Sequence, residues 1–250
     1  MKGKVTIAGA GPGELEHLTI AALRAIHSAD VILYDALIGD SIKAEFPATA
    51  ETIFVGKRCG NHAYTQTMIV AAMIEHALAG RHVLRLKGGD PAIFAHLSAE
   101  LEALQKLGIE TRILPGVTAM LTAAADLGRP LTTRGNNRHI WVTDGHSEDI
   151  KKYAGKMAAF PGTLVFYMGA GRAREIAQLL MENGIEKNKP CVLVENAGSN
   201  QRHVSRGTVA DAAVGAITRS THGPGILLLG DALAADTAAV EAEYAAATQL

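Results

Sequence analysis

Val5-Thr6-Ile7-Ala8-Gly9-Ala10-Gly11-Pro12-Gly13 sets a short apolar run against a glycine turn, and Leu18 to Ser28 after it has helical spacing. A buried strand, a tight turn and a helix open a βα unit. The unit recurs. Val31-Ile32-Leu33-Tyr34 and Thr52-Ile53-Phe54-Val55 predict a second and a third strand. Thr65 is placed to cap a helix through about Ala79, with Ile69, Ala72, Met73 and Ala77 on one face and Gly80 at its end. His82 to Leu86 predicts a fourth strand. Leu97, Leu101, Leu104 and Leu107 repeat at helical spacing before Gly108, and Thr111 to Leu114 predicts a fifth strand, broken by Pro115-Gly116. Such a βαβα series predicts a parallel sheet covered on both faces.

The pattern restarts after a loop from Arg129 to Asn137 rich in Arg, Thr, Gly and Asn. His139–Thr143, Thr163–Tyr167, Cys191–Val194 and Ile226–Leu229 are strand candidates, with helices near Glu148–Ala158 and Arg172–Glu182. Gln201 to Val209 alternates more, which suits an antiparallel strand. The expected fold class is α/β with two domains, residues 1–116 and 117–250, each a mostly parallel or mixed sheet flanked by helices.

Composition narrows the functional classes. The 250 residues are 48% apolar and 20% charged, enough to bury a sizeable core. Lys+Arg is 24 against 25 Asp+Glu, a net charge of −1 that argues against a general nucleic-acid or membrane-surface binder. Aromatics at 4% weaken any base-stacking surface. No window reaches the ~18 apolar residues of a membrane span, and Val5 to Ala10 is too short for a signal sequence. Cys59 and Cys191 make neither a disulfide framework nor a structural zinc site, and as free thiols they suit the reducing cytoplasm. Lys57 and Arg58 beside Cys59 favour its thiolate, although a plain loop or core cysteine is the commoner case. The ten histidines show no metal-ligand spacing, so no metal is expected.

In open parallel sheets ligands collect beyond the carboxyl ends of the strands. Gly9-Ala10-Gly11-Pro12-Gly13, Asp35, Gly56-Lys57-Arg58, Lys87-Gly88-Gly89-Asp90-Pro91 and Pro115-Gly116 follow the first five strands in turn. Met168-Gly169-Ala170-Gly171 and Glu195-Asn196 follow strands of the second half. The first glycine turn is not a dinucleotide fingerprint, because Glu14 stands where the third glycine is required and Pro12 removes a backbone donor. Gly88-Gly89 admits a ligand close to the backbone and Asp90 adds an acceptor, which suits a cationic nucleoside ligand such as S-adenosylmethionine. The same residues also suit a plain cap, with Pro91 in the first turn of the next helix. Asp35 and Lys57 follow adjacent strands and can form an acid/base pair, or a surface ion pair worth ~0–1 kcal/mol.

Eight stretches together carry a resemblance: VTIAGAGPG (5–13), DVILYDAL (30–37), VGKRCGNH (55–62), VLRLKGGDPAIF (83–94), LPGVTA (114–119), PLTTRG (130–135), LVFYMG (164–169) and VENA (194–197). In this order they are similar to the motif set of the tetrapyrrole methylases, from about Lys4 to Gly230. The resemblance implies a two-domain α/β homodimer with S-adenosylmethionine held between the domains. It implies transfer of two methyl groups to ring carbons of uroporphyrinogen III, giving precorrin-2, a precursor of sirohaem, cobalamin or haem d1. Carried over by position, the cofactor contacts fall on Pro12, Gly88, Gly89, Asp90, Ile93, Thr118, Ala119, Met168 and Ala197, and the acid/base pair on Asp35 and Lys57.

These residue types suit the chemistry. A methyl sulfonium is a strong electrophile, so alignment of sulfur, methyl and ring carbon and loss of one pyrrole proton are what remain for the protein to supply. An octacarboxylate substrate calls for arginines, and Arg58, Arg129, Arg134 and Arg138 are the candidates. The chain departs from the family pattern at Ala36, where an arginine is usual, and over Ala95 to Ala99, where Gly-Arg-Gly-Gly-Glu is usual. Those departures bear on the acceptor, so a related methylase with another tetrapyrrole substrate is an alternative. A nicotinamide oxidoreductase and a non-enzymatic nucleotide sensor are alternatives of other classes.

Overall fold

The computed structural model describes residues 2–56, 64–134 and 137–234. They form two compact units, one running through Asp126 and taking in Asn196–Arg202, the other built from Leu127–Glu195 and the chain from His203. The first unit thus extends past the expected division after residue 116 and recruits a short segment from much later in the chain.

In chain order the first unit contains β1 (Lys4–Gly9), α1 (Ile20–His27), β2 (Val31–Tyr34), α2 (Asp40–Lys43), β3 (Glu51–Phe54), α3 (Gln66–Leu78), β4 (His82–Lys87), α4 (Leu97–Lys106), β5 (Glu110–Leu114) and α5 (Ala119–Leu127). The sheet order is β3-β2-β4-β1-β5, and every pairing is parallel. Strand residues alternate between two cores, as the two-residue period requires. Ala8, Ile32, Leu84 and Leu86 pack with Ala22, Ile26 and Ile42 of α1 and α2 on one face. Val5, Ile7, Val31, Leu33 and Val83 pack with Ile69, Met73, Ala77 and Leu104 of α3 and α4 on the other. Capping sets the helix starts: the Thr19 hydroxyl accepts the Ala22 N–H at 3.1 Å, and Thr65 accepts that of Met68 at 3.2 Å. Gly80 takes the left-handed conformation expected after α3, at φ 84°.

The second unit contains β6 (His139–Asp144), α6 (Asp149–Ala158), β7 (Gly162–Tyr167), α7 (Ala173–Glu182), β8 (Pro190–Glu195), β9 (His203–Thr208), α8 (Val209–Ala213) and β10 (Gly225–Leu229). Its sheet, ordered β6-β7-β10-β8-β9, is mixed: β6 and β7 are parallel, and the other pairings are antiparallel. The alternating 201–209 stretch therefore yields the antiparallel edge strand β9. Leu164, Phe166, Cys191, Leu193, Leu227 and Leu229 pack against Ile150, Met157, Ile176, Leu180, Val209 and Ala212. The Cys191 thiol lies in this core, where burial pushes its pKa up to about 12, so it is an inert packing residue. Cys59 falls outside the described residues.

Candidate functional site

The helix after β1 packs on one face of the first sheet, and the helix after β4 packs on the opposite face. The two loops leave adjacent strands in opposite directions, which opens a crevice at the carboxyl ends of β1 and β4. Both glycine turns lie there. Gly11 and Gly89 exchange backbone hydrogen bonds, Gly89 N–H to Gly11 O at 2.6 Å and Gly11 N–H to Gly89 O at 3.2 Å. A Cβ on Gly9 would stand 2.5 Å from the Gly89 carbonyl oxygen and 2.7 Å from Gly116 Cα. The backbones that follow β1, β4 and β5 thus converge where no side chain fits. Gly89 itself is different: at φ +71° its Cβ direction meets nothing within 4 Å. It offers an open cradle with backbone on the other side.

Two carboxylates build this turn. Asp35 follows β2; its Oδ1 accepts the Leu37 N–H at 3.0 Å, its Oδ2 accepts the Gly88 N–H at 3.2 Å, and Arg85 Nη2 stands 3.8 Å away. Asp90 Oδ1 accepts the Ala92 N–H at 2.8 Å and Oδ2 the Gly116 N–H at 2.9 Å. Both side chains are partnered through backbone donors of the site, so they shape the crevice directly. Pro91 corrects the sequence reading: it does not enter the first turn of α4, which begins only at Leu97. Between them lie turns in which Phe94 and His96 adopt positive φ values of 49° and 55°, where glycine is the comfortable residue.

Behind the turn lies a buried charged group that the sequence reading did not single out. Arg85 and Lys87 project from β4 to the α3/α4 side, and Glu100 rises from α4 to meet them. Glu100 is fully buried, and Lys87 and Arg85 are 4% and 5% exposed. Lys87 Nζ donates to Glu100 Oε1 at 2.7 Å, Gln66 Nε2 donates to the same oxygen at 3.0 Å, and Arg85 Nε lies 3.7 Å from it. Burial pushes the Lys87 ammonium below the usual lysine range, and only the Glu100 charge and hydrogen bond, with Asp35 further off, pull the other way. The legible signal was Arg85-Leu86-Lys87 ending an otherwise apolar strand: charges on a central strand need a buried partner.

The later segment of the first unit brings Ala197, 8% exposed, to the same unit. Asp126 of α5 holds this segment by accepting the Gly198 N–H at 2.7 Å and Arg202 Nη1 at 2.8 Å. A Cβ on Gly198 would lie 3.0 Å from Pro12 Cγ. Thr118 is buried, and Ala119 and Ile93 are half-buried. Pro12, Gly88, Gly89, Asp90, Ile93, Thr118, Ala119, Ala197 and Asp35 therefore all belong to the first unit. Lys57 and Arg58 lie outside the described residues.

Met168, Arg129, Arg134 and Arg138 belong to the second unit. Met168 stands at the end of β7 at φ 55°, and its side chain is largely exposed. Arg134 and Arg138 are exposed and Arg129 is half-buried. Their loop is staked at both ends: the Thr133 N–H donates to Asn137 O at 2.8 Å, Asn137 Nδ2 to Thr163 Oγ1 at 3.3 Å, and that hydroxyl to Leu131 O at 2.8 Å. Glu195, fully buried at the end of β8, accepts from the N–H groups of Ser220 at 2.8 Å and Thr221 at 3.1 Å, and from the Thr221 hydroxyl at 3.0 Å. Burial acts to raise its pKa, but these donors and Arg219 outweigh it and hold it below the usual carboxylate range.

A parallel five-stranded unit with a glycine-lined crevice, followed by a mixed five-stranded unit, defines a two-sheet α/β class that fits a small ligand better than a polymer. The profile of the Tetrapyrrole (Corrin/Porphyrin) Methylases matches residues 4–213, and the chain belongs to that family. It is 39% identical over 232 residues to a uroporphyrinogen-III C-methyltransferase of Pseudomonas aeruginosa, covering 92% of this chain and 94% of that protein. It is 38% identical over 231 residues to a siroheme synthase of Edwardsiella ictaluri, of which it spans only 50%. The chain thus spans about half the length of the siroheme synthases it matches. Among solved structures, a uroporphyrin-III C-methyltransferase of Thermus thermophilus in complex with S-adenosylhomocysteine superposes with a TM-score of 0.78 at 32% identity, covering 92% of this chain and 99% of that one.

Proposed function

We propose that this chain is a methyltransferase that uses S-adenosylmethionine to methylate two ring carbons of uroporphyrinogen III, giving precorrin-2. The observation that carries the reading is the open Gly89 cradle, in the crevice of a tetrapyrrole-methylase chain that is 39% identical to a uroporphyrinogen-III C-methyltransferase. The residues fit the group: glycines leave room against the backbone, and among the described residues no phosphate-binding lysine loop competes for the crevice. Pro12, Gly88, Gly89, Asp90, Ile93, Thr118, Ala119 and Ala197 would hold the cofactor, and Met168 is assigned to it by its position in the family pattern alone. Bound there, S-adenosylmethionine supplies an electrophilic methyl group.

The chain's own residues do the rest. The crevice would fix the approach of the ring carbon to the methyl group, an effect that can supply several kcal/mol. Asp35 is assigned the proton lost from the ring, and Lys57 the positioning of a substrate carboxylate or the return of a proton. Arg58, Arg129, Arg134 and Arg138 are assigned the carboxylates of the acceptor. The same reading includes a homodimer in the cytoplasm; among the described residues no helix is long and apolar enough to cross a membrane.

The test is turnover of uroporphyrinogen III with S-adenosylmethionine, followed by mass gain of one and then two methyl groups, with titrations of S-adenosylhomocysteine and NAD beside it. Binding of NAD without S-adenosylhomocysteine would overturn the assignment. A second reading, another tetrapyrrole acceptor, is favoured by one feature. Pro91, Phe94, Leu97 and Leu101, with His96 and Ser98, line an open, mostly apolar depression of about 410 Å³ in the segment that departs from the family pattern. Methylation of a later precorrin in preference to uroporphyrinogen III would establish it.

A further inference from the structure

Lys87 and Glu100 stand 13 residues apart in the chain, yet their side chains meet at 2.7 Å in the interior. Everything between them is one excursion: the Gly88-Gly89 turn, Asp90, the two left-handed residues Phe94 and His96, and the first residues of α4. The ion pair closes the neck of that excursion. We infer that Lys87 and Glu100 are positioning residues, a buried pin that holds the 88–99 loop in its ligand-receiving form before any ligand arrives. The inference rests on the cofactor reading above for what the loop receives, but not for the pin itself.

Three observations support it. First, the pin is buried: Glu100 is fully buried, Lys87 is 4% exposed, and Glu100 Oε1 takes both the ammonium and the Gln66 amide. Burying an ion pair costs desolvation that its mutual attraction only partly returns, so the pair is weak as a source of stability alone. Second, the loop it closes contains non-glycine residues in the left-handed region, a conformation that persists only when the surroundings over-determine it. Third, the charges balance only as a set. Arg85 and Lys87 face Glu100 and Asp35, and Asp35 also accepts the Gly88 N–H. The pin and the turn therefore share one electrostatic group, and a fixed loop binds without an ordering cost.

The experiment separates positioning from stability. Glu100→Gln leaves two buried cations against one carboxylate, and it should lower both the melting temperature and the affinity for S-adenosylhomocysteine. The double variant Lys87→Met/Glu100→Gln removes both charges of the pair, keeps an acceptor for the Gln66 amide and leaves Arg85 balanced by Asp35. It should recover most of the melting temperature lost in Glu100→Gln and still bind S-adenosylhomocysteine roughly tenfold to a hundredfold more weakly than the parent, because the neck is no longer held. A double variant that melts and binds like the parent would reduce the pair to packing and overturn the inference. A second measurement needs no variant. In the ligand-free parent, amide hydrogen exchange over 88–99 should already be slow; fast exchange there that slows only on adding S-adenosylhomocysteine would overturn the pin. Failure of the parent to bind S-adenosylhomocysteine would instead strike the cofactor reading and leave the exchange result to decide the pin.

Discussion

The Asp35 carboxylate at the end of β2 accepts the backbone N–H of Gly88 at the end of β4, 53 residues away in the chain, at 3.2 Å. The residue assigned to proton transfer is thus also a girder of the turn assigned to the cofactor. The sequence alone predicts that Asp35→Asn should lower kcat and leave cofactor affinity alone. The contacts predict otherwise. An Asn side chain offers one acceptor oxygen where Leu37 and Gly88 use two, and it removes the charge that faces Arg85, so the half-buried Gly88 N–H loses a charge-assisted bond worth about 1.5–3 kcal/mol at most. Asp35→Asn should therefore reduce kcat by ~10²–10⁴ if general-base catalysis is its task, and also weaken S-adenosylhomocysteine binding about tenfold. Measured together on one preparation, a weakened Kd with a kcat within a few-fold of the parent would leave Asp35 a girder only.

Gly89 separates a space requirement from a backbone requirement. A Cβ there meets no protein atom within 4 Å, so the cost to the fold is the left-handed conformation, roughly 1–2 kcal/mol. Gly89→Ala should fold with a slightly lower melting temperature, and Gly89→Val should fold less well. Both should lose S-adenosylhomocysteine affinity far beyond their loss of stability, because the methyl groups enter the cradle. Calorimetric binding on the alanine variant is the decisive measurement: parent-like affinity would move the cofactor away from Gly89.

Much of the architecture was legible because local rules decided it. Short apolar runs bounded by glycine gave the strands, Thr65 caps α3 where it was expected to, and the alternation of 201–209 marked the antiparallel strand β9. The misses have physical causes. α2 and α8 are short, with 4 and 5 residues, and too brief for a period to show. Pro91 is compatible with a helix start, but Asp90 spends its oxygens on Ala92 and Gly116, which folds the chain into turns instead. The site was legible as a list of strand ends and not as contacts. Asp35 with Gly88, Lys87 with Glu100 and Asp126 with Gly198 are pairings across 53, 13 and 72 residues, set by strand order in the first case and by helix and loop packing in the other two.

Glu195 predicts an acid-labile second unit. Its folded pKa is depressed, so its contribution is present in full above the unfolded value near 4.5 and is lost as pH falls through the folded one. The melting temperature should drop below about pH 4.5 more steeply in the parent than in Glu195→Gln. At neutral pH the variant should already be destabilised by about 1–3 kcal/mol, because the amide cannot accept from all three donors of Ser220 and Thr221. Identical acid transitions in the two proteins would assign the acid sensitivity to other carboxylates.

Arg134 tests the substrate side. Its loop is staked by Thr133, Asn137 and Thr163, and the arginine side chain itself is exposed. Removing it should therefore leave the melting temperature within the small range typical of surface changes. A lost charge-assisted hydrogen bond to a substrate carboxylate is worth about 1.5–3 kcal/mol, so Arg134→Ala should raise the KM for uroporphyrinogen III roughly tenfold or more. Affinity for S-adenosylhomocysteine should stay close to that of the parent. The parent's substrate KM should rise with salt as screening shortens the reach of the arginines, and the slope should be shallower in Arg134→Ala. Arg138→Ala and Arg129→Ala, measured the same way, rank the three positions. A substrate KM that ignores both salt and all three substitutions would remove this loop from the acceptor site and leave the carboxylates to be met elsewhere on the chain.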